Sequence, residues 1–320
     1  MTHAISPEAY AAAHEAAVLA RHDRRGMLYL TGKSRLDLIH RMSTQALTHL
    51  KSGEGAATVL TTDIGRIIDR PILYASGDAV YLLTGDDHAD ALARYLLRNI
   101  FFNDDVQVGD ISGETTVWGV YGPRAGELLV AAGFAEVDLP RHHWRQATID
   151  GVTAYIHRTD PVAGEGYFVT ASRPDEAVVQ EALLAAGLGL IDDTAYEYLR
   201  IESGVPRFGR ELSLDYIPLE ANLWEDVSFH KGCYIGQEII ARMESRGKLA
   251  KRLVGLRPAA AVAVGMEIAS GGKPVGSITS AADGPAGPVA LGYVKSSALD
   301  EGLELRAGST PLIVLTESES

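Results

Sequence analysis

Hydrophobic and polar positions in the first three quarters of the chain alternate with two periods. Residues 27–31 and 79–84 follow the two-residue period of half-buried strands, whereas residues 88–101 and 175–186 place apolar side chains at helical spacing. The same patterns predict a helix starting at Ser6 and Pro7, a helix after Gly32, strands at 56–60 and 66–74 joined by a turn at 63–65, strands at 116–121, 152–157 and 167–170, and a helix at 124–132. Short strands mixed with helices and hairpins predict an α+β body.

The pattern changes after Gly247. Five short apolar runs follow at about ten-residue spacing, separated by Gly, Pro or Asp: RLVGLRP, AVAVGMEIA, PVGSIT, VALGYVK and LELRA. Such spacing is typical of a small all-β barrel or sandwich. We therefore expect a first region at residues 1–247 and a C-terminal β-barrel domain at residues 248–320.

Composition narrows the class of protein. The 320 residues include one cysteine and carry a formal net charge of −13. One thiol excludes an internal disulfide and any metal or iron–sulfur site built from several cysteines of one chain, so we expect no metal site. The acidic excess argues against DNA binding, which needs clustered Lys and Arg. The N-terminal residues lack the apolar run of a secretory signal, and no stretch is long enough to span a membrane, so we expect a cytoplasmic protein.

The most unusual segment is SFHKGCYIGQE at residues 228–238, which places the only thiol between two glycines and after a His-Lys pair. A cation at Lys231 would favour the thiolate of Cys233, as a nucleophilic or redox-active cysteine requires. The alternative is that Cys233 is a small buried apolar residue, the common fate of a free cysteine.

A local excess of positive charge follows this segment. Residues 242–252 hold Arg242, Arg246, Lys248, Lys251 and Arg252 against Glu244. Such a stretch could bind the anionic tail of a ligand, a phosphate or RNA. The alternative is an ordinary solvated face.

Two carboxylates and one aromatic residue are further candidates. Asp69 ends the apolar stretch GRIID beside Arg70 and could accept hydrogen bonds from a ligand, or form an exposed salt bridge. Glu202 lies in the apolar context YLRIESG, where a charge needs Arg200, Arg207 or a ligand as its partner. Tyr167 could stack on a flat heterocycle or belong to the core. Dinucleotide, nucleotide-phosphate, zinc-protease and hydrolase motifs are absent from the sequence.

The segments KGCYIGQE at 231–238 and ARMESRG at 241–247 closely resemble the signature of the YgfZ family, folate-binding proteins that maintain iron–sulfur enzymes. That family in turn resembles the T-protein of the glycine cleavage system, the tetrahydrofolate-dependent aminomethyltransferase. The stretches LTTDIGRIIDRPILY, RIESGVPRFGREL, IPLEANL and RLVGL extend the resemblance over nearly the whole chain. It implies two interleaved α+β subdomains around a folate channel, followed by the small β-barrel.

The resemblance also implies roles for single residues. Asp69, with Lys231 and Cys233, would take part in the chemistry. The contacts to tetrahydrofolate, or to a one-carbon derivative of it, would come from Asp69, Thr84, Tyr167, Glu202, Gln237 and Arg242. A folate offers an N–H edge to a carboxylate, a flat face to an aromatic ring and a glutamate tail to cations.

Several positions depart from the T-protein pattern. T-proteins end the motif as F-I-G-R-E, where this chain has Gln237, and usually have asparagine where it has Thr84. Their paired aspartates correspond here to Asp69 and Arg70, and Arg66 replaces the second glycine. These departures weigh against aminomethyl transfer from a lipoyl carrier and are compatible with a folate pocket.

Three hypotheses follow. The first is a tetrahydrofolate-binding, YgfZ-like protein that supports assembly or repair of iron–sulfur enzymes, with client or assembly proteins as partners. The second is a folate-dependent one-carbon transferase, acting on aminomethyl or methyl groups. The third is a regulatory protein whose residues 242–252 bind a partner or RNA.

Overall fold

The computed structural model describes residues 4–315, which form two open sheets, a two-stranded ribbon and a closed barrel. The helices are α1 (Pro7–Glu15), α2 (Arg35–Met42), α3 (Ala89–Leu97), α4 (Ala125–Ala131), α5 (Glu176–Ala185), α6 (Asp193–Glu202), α7 (Gln237–Arg246) and α8 (Ser296–Asp300). The strands of the body are β1 (Val18–Arg21), β2 (Arg25–Thr31), β3 (Gly55–Ala57), β4 (Leu60–Thr61), β5 (Ile67–Asp69), β6 (Ile72–Ala75), β7 (Ala79–Asp86), β8 (Gln107–Asp110), β9 (Thr115–Gly122), β10 (Trp144–Ile149), β11 (Val152–Arg158), β12 (Glu165–Ser172) and β13 (Gly189–Ile191). The barrel strands are β14 (Lys251–Pro258), β15 (Glu267–Ser270), β16 (Lys273–Ala282), β17 (Val289–Lys295), β18 (Leu305–Ala307) and β19 (Thr310–Val314).

The two open sheets are interleaved along the chain. The first sheet has the order β3-β6-β7-β2-β8, and the second has the order β10-β11-β12-β9-β1-β13. Strand β1 joins the second sheet before the chain builds the first one, and β9 to β12 then return to the second sheet. This arrangement, with a closed six-stranded barrel after it, confirms the predicted T-protein-like α+β architecture.

Helix α1 begins as the sequence predicts. The side chain of Ser6 accepts a hydrogen bond from the backbone N–H of Ala9 at 3.1 Å, and Pro7 occupies the first helical position. The helix leads into β1, which the sequence analysis did not identify. The ring of Tyr10 on α1 lies 5.8 Å from the ring of Tyr198 on α6, so α1 and α6 pack together.

The two strands expected at 56–60 and 66–74 are each divided. Strands β3 and β6 pair within the first sheet, whereas β4 and β5 form a separate ribbon. Pro71 lies between β5 and β6, and because proline has no N–H it cannot continue the ladder. The turn predicted at 63–65 is confirmed, with Gly65 at a φ of +73°.

Separate apolar clusters support the two sheets. Leu28, Leu82 and Leu92 belong to the core under α2 and α3, and Trp118 and Val169 belong to the core under α4 and α5. A third cluster fills the space between the sheets and reaches the barrel. No helix within residues 4–315 has the length and apolar character needed to cross a membrane.

A buried charge network connects the body with the barrel. Arg200 on α6 is 1% exposed and donates to Glu211 at 2.9 Å and to Ser280 on β16 at 2.5 Å. It also pairs with Glu197, which Arg207 shares at 2.8 Å. Because each charged group in the network has a partner, its burial is compensated, and the barrel is held against α6.

Candidate functional site

A cavity of about 1060 Å³ lies between the body and the barrel. Its charged lining residues are Arg70, Arg141, Asp160, Glu202, Arg252 and Glu304. Strands β14, β17, β18 and β19 supply an opposite wall rich in leucine. We call it the Glu202 cavity. Its size and its mixture of apolar surface with a few charged groups are those of a small-molecule site.

Glu202 ends α6 and is half-buried at the cavity wall. The hydroxyl of Tyr10 donates to its Oε1 at 3.2 Å. Its Oε2 lies 2.9 Å from Nε2 of His14, but it has no hydrogen-bond partner of acceptable geometry. Neither Arg200 nor Arg207, the partners that the sequence suggested, pairs with this carboxylate. Glu202 therefore keeps acceptor capacity for a ligand. Tyr10 and His14 were missed, although a spacing of four places both on one helix face.

Arg70 is held in the wall by two acids. Its Nη1 lies 2.7 Å from Asp160 and its Nε lies 2.5 Å from Asp226, and Arg141 pairs with Asp160 from the other side. Burial alone would raise the pKa of Asp160, but Arg70, His142 and Arg141 together outweigh it and keep that pKa far below the usual range. The wall is thus a fixed ion network.

Asp69 faces away from this wall. Its side chain is fully buried, Oδ1 accepts from the backbone N–H of Arg70 at 2.8 Å, and Oδ2 accepts from that of Gly85 at 3.1 Å. Its side-chain neighbour is His88, whose Nδ1 lies 3.0 Å from Oδ2. The exposed salt bridge considered for Asp69 is wrong: its side chain is buried, and the guanidinium of Arg70 binds other acids. Successive residues of an extended chain point to opposite sides, and here Arg70 faces the cavity.

His88 was missed by the sequence analysis. Its ring stacks on Phe208 with 4.3 Å between the centroids while it contacts Asp69. No local spacing connects positions 69 and 88. One indirect indication of such a residue was present in the sequence, because a carboxylate in an apolar strand requires a buried partner.

Thr84 lies beside Asp69 through their common neighbour Gly85. Its hydroxyl donates to the carbonyl of Gly85 at 3.0 Å and is fully buried. Tyr167 lies elsewhere: it faces the core under α4 and α5, where Arg158 contacts its hydroxyl and its ring. Phe168, the next residue of β12, faces the space between the sheets instead. The structure therefore does not bring Tyr167 together with Glu202.

Residues 231–236, here called the Cys233 loop, are anchored by Lys231. Its ammonium donates to the carbonyls of His40, Ser43 and Gln45, at 2.7 Å for Ser43 and 2.8 Å for Gln45. These three bonds use all three N–H groups, so none is left for the thiol. Desolvation lowers the pKa of Lys231 to about 8. The contacts make Lys231 an anchor of the loop at the end of α2, rather than a hydrogen-bond donor to Cys233.

Cys233 is exposed, so the alternative of a buried apolar cysteine is wrong. The loop rests on the β4–β5 ribbon, where the hydroxyl of Thr61 donates to the carbonyl of Ile235 at 2.6 Å. Gly236 has a φ of +84°, and a Cβ there would lie 2.6 Å from Oγ1 of Thr61. The glycine is required by this close approach. The exposed thiol therefore projects from a loop whose backbone is held in place by hydrogen bonds.

Gln237 begins α7 directly after Gly236. Arg242, one turn further on, is exposed and pairs with Glu238 at 2.5 Å. Neither residue lines the Glu202 cavity, whereas Arg252 of the same basic stretch does. The predicted site residues thus lie in four separate places. Glu202 lines its cavity, Asp69 and Thr84 are buried beside Gly85, Tyr167 lies in the core under α4 and α5, and the remaining residues lie in the Cys233 loop and α7.

Within residues 4–315, His, Cys, Asp and Glu side chains nowhere come together in threes as a metal ion would need.

Comparisons with known proteins agree with the fold. Residues 1–231 match the GCVT N-terminal domain, and residues 251–310 match the glycine cleavage T-protein C-terminal barrel domain. A chloroplastic protein of Arabidopsis thaliana, whose name assigns it provisionally to the transferases, is 30% identical over 88% of this chain and 66% of its own length. The aminomethyltransferase of Symbiobacterium thermophilum is 29% identical over 90% of this chain and 80% of its own.

The fold has a solved counterpart. The aminomethyltransferase T of the glycine cleavage system from Bartonella henselae superimposes with a TM-score of 0.86 and 21% identity, covering 98% of this chain and 89% of that one. With both domains matched in the same order, the chain belongs to the family that combines a GCVT N-terminal domain with a glycine cleavage T-protein C-terminal barrel.

Proposed function

We propose that this protein binds a tetrahydrofolate in the Glu202 cavity and, in the manner of the YgfZ family, supports the assembly or repair of iron–sulfur enzymes through Cys233. The observation that carries the folate part is the half-buried carboxylate of Glu202, supported by Tyr10 and His14, in a cavity of about 1060 Å³ that guanidinium groups also line. The observation that carries the second part is the exposure of Cys233 on an anchored loop.

The donor set suits a folate. The carboxylate of Glu202 would accept from the N–H edge of the pterin, and Arg141 and Arg252 would bind the carboxylates of the glutamate tail. The leucine-rich barrel wall would pack against the aminobenzoyl ring. When bound, tetrahydrofolate supplies a carrier for one-carbon groups.

Cys233 would act outside this cavity, on a partner. As the only thiol of the chain, it can give one ligand to an iron–sulfur cluster, releasing its proton on binding, while a client or assembly protein gives the others. The cytoplasm stays the predicted compartment.

Calorimetry with tetrahydrofolate tests the folate part. We expect saturable binding to the wild-type protein and a loss of about tenfold in affinity for Glu202→Gln, which removes the charge and keeps the shape. Glu267→Gln, an exposed barrel residue, is the matched control and should bind like the wild type. Absence of binding to the wild-type protein would end this proposal.

A one-carbon transferase is the second candidate, favoured by the names of the bacterial relatives and by the buried contact of Asp69 with His88. It predicts turnover of a methyl or aminomethyl donor to methyl- or methylene-tetrahydrofolate, with Asp69→Asn losing that turnover. Turnover that persists in Asp69→Asn would remove Asp69 from the chemistry. One observation weighs against this candidate. The residue that faces the cavity is Arg70, paired with two acids, so the cavity wall has no free carboxylate at that position.

A further inference from the structure

His142 follows Arg141, a lining residue of the Glu202 cavity, and is buried without a side-chain partner. It is 7% exposed, and within residues 4–315 neither ring nitrogen makes a hydrogen bond. Its backbone is left-handed, with a φ of +65°, which few residues other than glycine adopt. Its N–H donates to the carbonyl of Arg158 at 2.9 Å, so this conformation is held in place. A buried, unpaired imidazole on a strained backbone indicates a group that finds its partner in another state of the protein.

The charged groups that act on this ring form a balanced set. They are Asp160, Arg70, Arg141 and Asp226. Two cations face two acids, and the ring itself is neutral at pH 7, because burial lowers the pKa of His142 to about 4. The charges are therefore compensated only while both arginines stay in the set.

The two arginines differ in how firmly they are held. The side chain of Arg70 is 9% exposed and binds both acids. The side chain of Arg141 is 43% exposed and is shared between Asp160 and the exposed Glu225, and exposed pairs of this kind are weak. Nε of Arg141 donates to Oδ1 of Asp160 at 2.9 Å. Because Asp160 lines the cavity and Glu225 does not, the edge of Arg141 that holds Asp160 is the edge nearest to a ligand.

A ligand carboxylate that took this edge would break the balance. Oδ1 of Asp160 would lose the donors of Arg141, and the two acids would keep Arg70 as their one cation in the set. His142 is the member of the neighbourhood that can gain a positive charge, since nearby carboxylates stabilise an imidazolium. With a proton taken from solvent, its ring restores two cations against two acids.

We propose, resting on the tetrahydrofolate binding put forward above, that His142 is a positioning residue for the anionic end of the ligand. It takes up a proton and replaces Arg141 at Asp160 when that arginine turns to a carboxylate of the glutamate tail. The cavity thereby selects ligands with an anionic tail and binds them more tightly as the pH falls from 7.5 to 6.

Calorimetry with tetrahydrofolate at pH 6, in two buffers with different enthalpies of ionisation, measures this proton uptake. The wild type should take up about half a proton per ligand more than His142→Asn, in which asparagine tolerates the positive φ. Its affinity should also gain about twofold over that of the variant between pH 7.5 and pH 6. The ligand's own titration is the same for both proteins and cancels. His143→Asn removes the adjacent imidazole and is the matched control, expected to behave like the wild type. Equal proton uptake in His142→Asn and wild type would overturn the proposal.

A second measurement needs no ligand. Arg141→Gln removes one of the two cations at Asp160, so an NMR titration should show a pKa of His142 about one pH unit or more above that of the wild type. Arg145→Gln breaks an exposed pair with Glu136 and should leave that pKa unchanged. An unchanged pKa in Arg141→Gln would overturn the role of His142 whether or not tetrahydrofolate binds. Failure of tetrahydrofolate to bind would end the folate proposal, and the NMR titration would then decide the role of His142 by itself.

Discussion

The Glu202 cavity and the Cys233 loop differ in how the chain builds them. The cavity collects Glu202, Arg70 and Arg252 from positions far apart in the sequence, and most of its charges are already paired. The loop is one continuous segment whose thiol is exposed and whose lysine is fully bonded. The first is suited to enclose a small molecule, and the second to present one reactive group.

In the Cys233 loop, unlike the Glu202 cavity, different residues carry the proposed chemistry and the stability. In the cavity, the residues that would bind a ligand also hold the fold together, so substitutions there change both. In the loop, Lys231 carries the structural contacts and Cys233 makes none of the described hydrogen bonds. Function and folding can therefore be tested independently at two residues that are two positions apart.

Substitution of Cys233 should produce the largest functional effect. In cells that depend on this protein, Cys233→Ala should reduce the activity of iron–sulfur enzymes to the level seen without the protein, because no other thiol exists in the chain. Its free energy of unfolding should stay within about 0.5 kcal/mol of the wild type, since the side chain is exposed. His230→Ala, the exposed neighbour, is the control. Normal enzyme activity with Cys233→Ala would exclude the thiol role.

Substitution of Arg70 should produce the largest loss of stability. Arg70→Met leaves the buried charge of Asp226 without its ion-pair partner and that of Asp160 with Arg141 alone, and we expect the free energy of unfolding to fall by about 3–5 kcal/mol in urea titrations. Arg94→Met removes an exposed pair with Asp90 and should change it by less than about 0.5 kcal/mol.

The pH dependence gives a second check on Arg70. The folded-state pKa of Asp160 is lowered, so its contribution is present above the unfolded pKa of about 4 and is lost as the pH falls below it. The difference in stability between wild type and Arg70→Met should therefore shrink in acid. A constant difference down to pH 2 would contradict the pairing.

The sequence predicted the barrel because most of its strands end beside a Gly, Pro or Asp, although β19 was not identified. It could not decide which of Asp69 and Arg70 faces the cavity. Both follow the apolar pair Ile67 and Ile68, so the strand has no alternation to fix its inward face. Tyr167 and Phe168 present the same ambiguity, since both faces of β12 are covered.

The motif KGCYIGQE was easy to recognise, but its internal roles were not. A lysine two residues before a cysteine suggests a cation that favours the thiolate. The partners of Lys231 are carbonyls of residues 40–45, almost two hundred positions away, and no local pattern announces them. The partners of Glu202 on α1, Tyr10 and His14, could not be predicted for the same reason.

Lys231→Met should destabilise the protein by about 3 kcal/mol at pH 7, because three carbonyls lose a charged donor. Its folded-state pKa is about 8, below the usual value of 10.5, so the unfolded chain binds more protons between these values. The stability advantage of wild type over Lys231→Met should therefore increase from pH 8 to pH 10.5. A decrease over this range would mean that the carbonyls raise the pKa instead.

The smallest effect is expected at the support of Glu202. Tyr10→Phe removes the hydroxyl that donates to Oε1 at 3.2 Å, and we expect a loss of about 1 kcal/mol in the free energy of unfolding. Tetrahydrofolate affinity should fall only a few-fold, because the carboxylate remains and the contact of its Oε2 with His14 at 2.9 Å is untouched. Glu202→Gln and Tyr10→Phe together should bind no more weakly than Glu202→Gln alone if Tyr10 acts only by orienting this carboxylate. An additive loss measured by calorimetry would show that Tyr10 contacts the ligand itself.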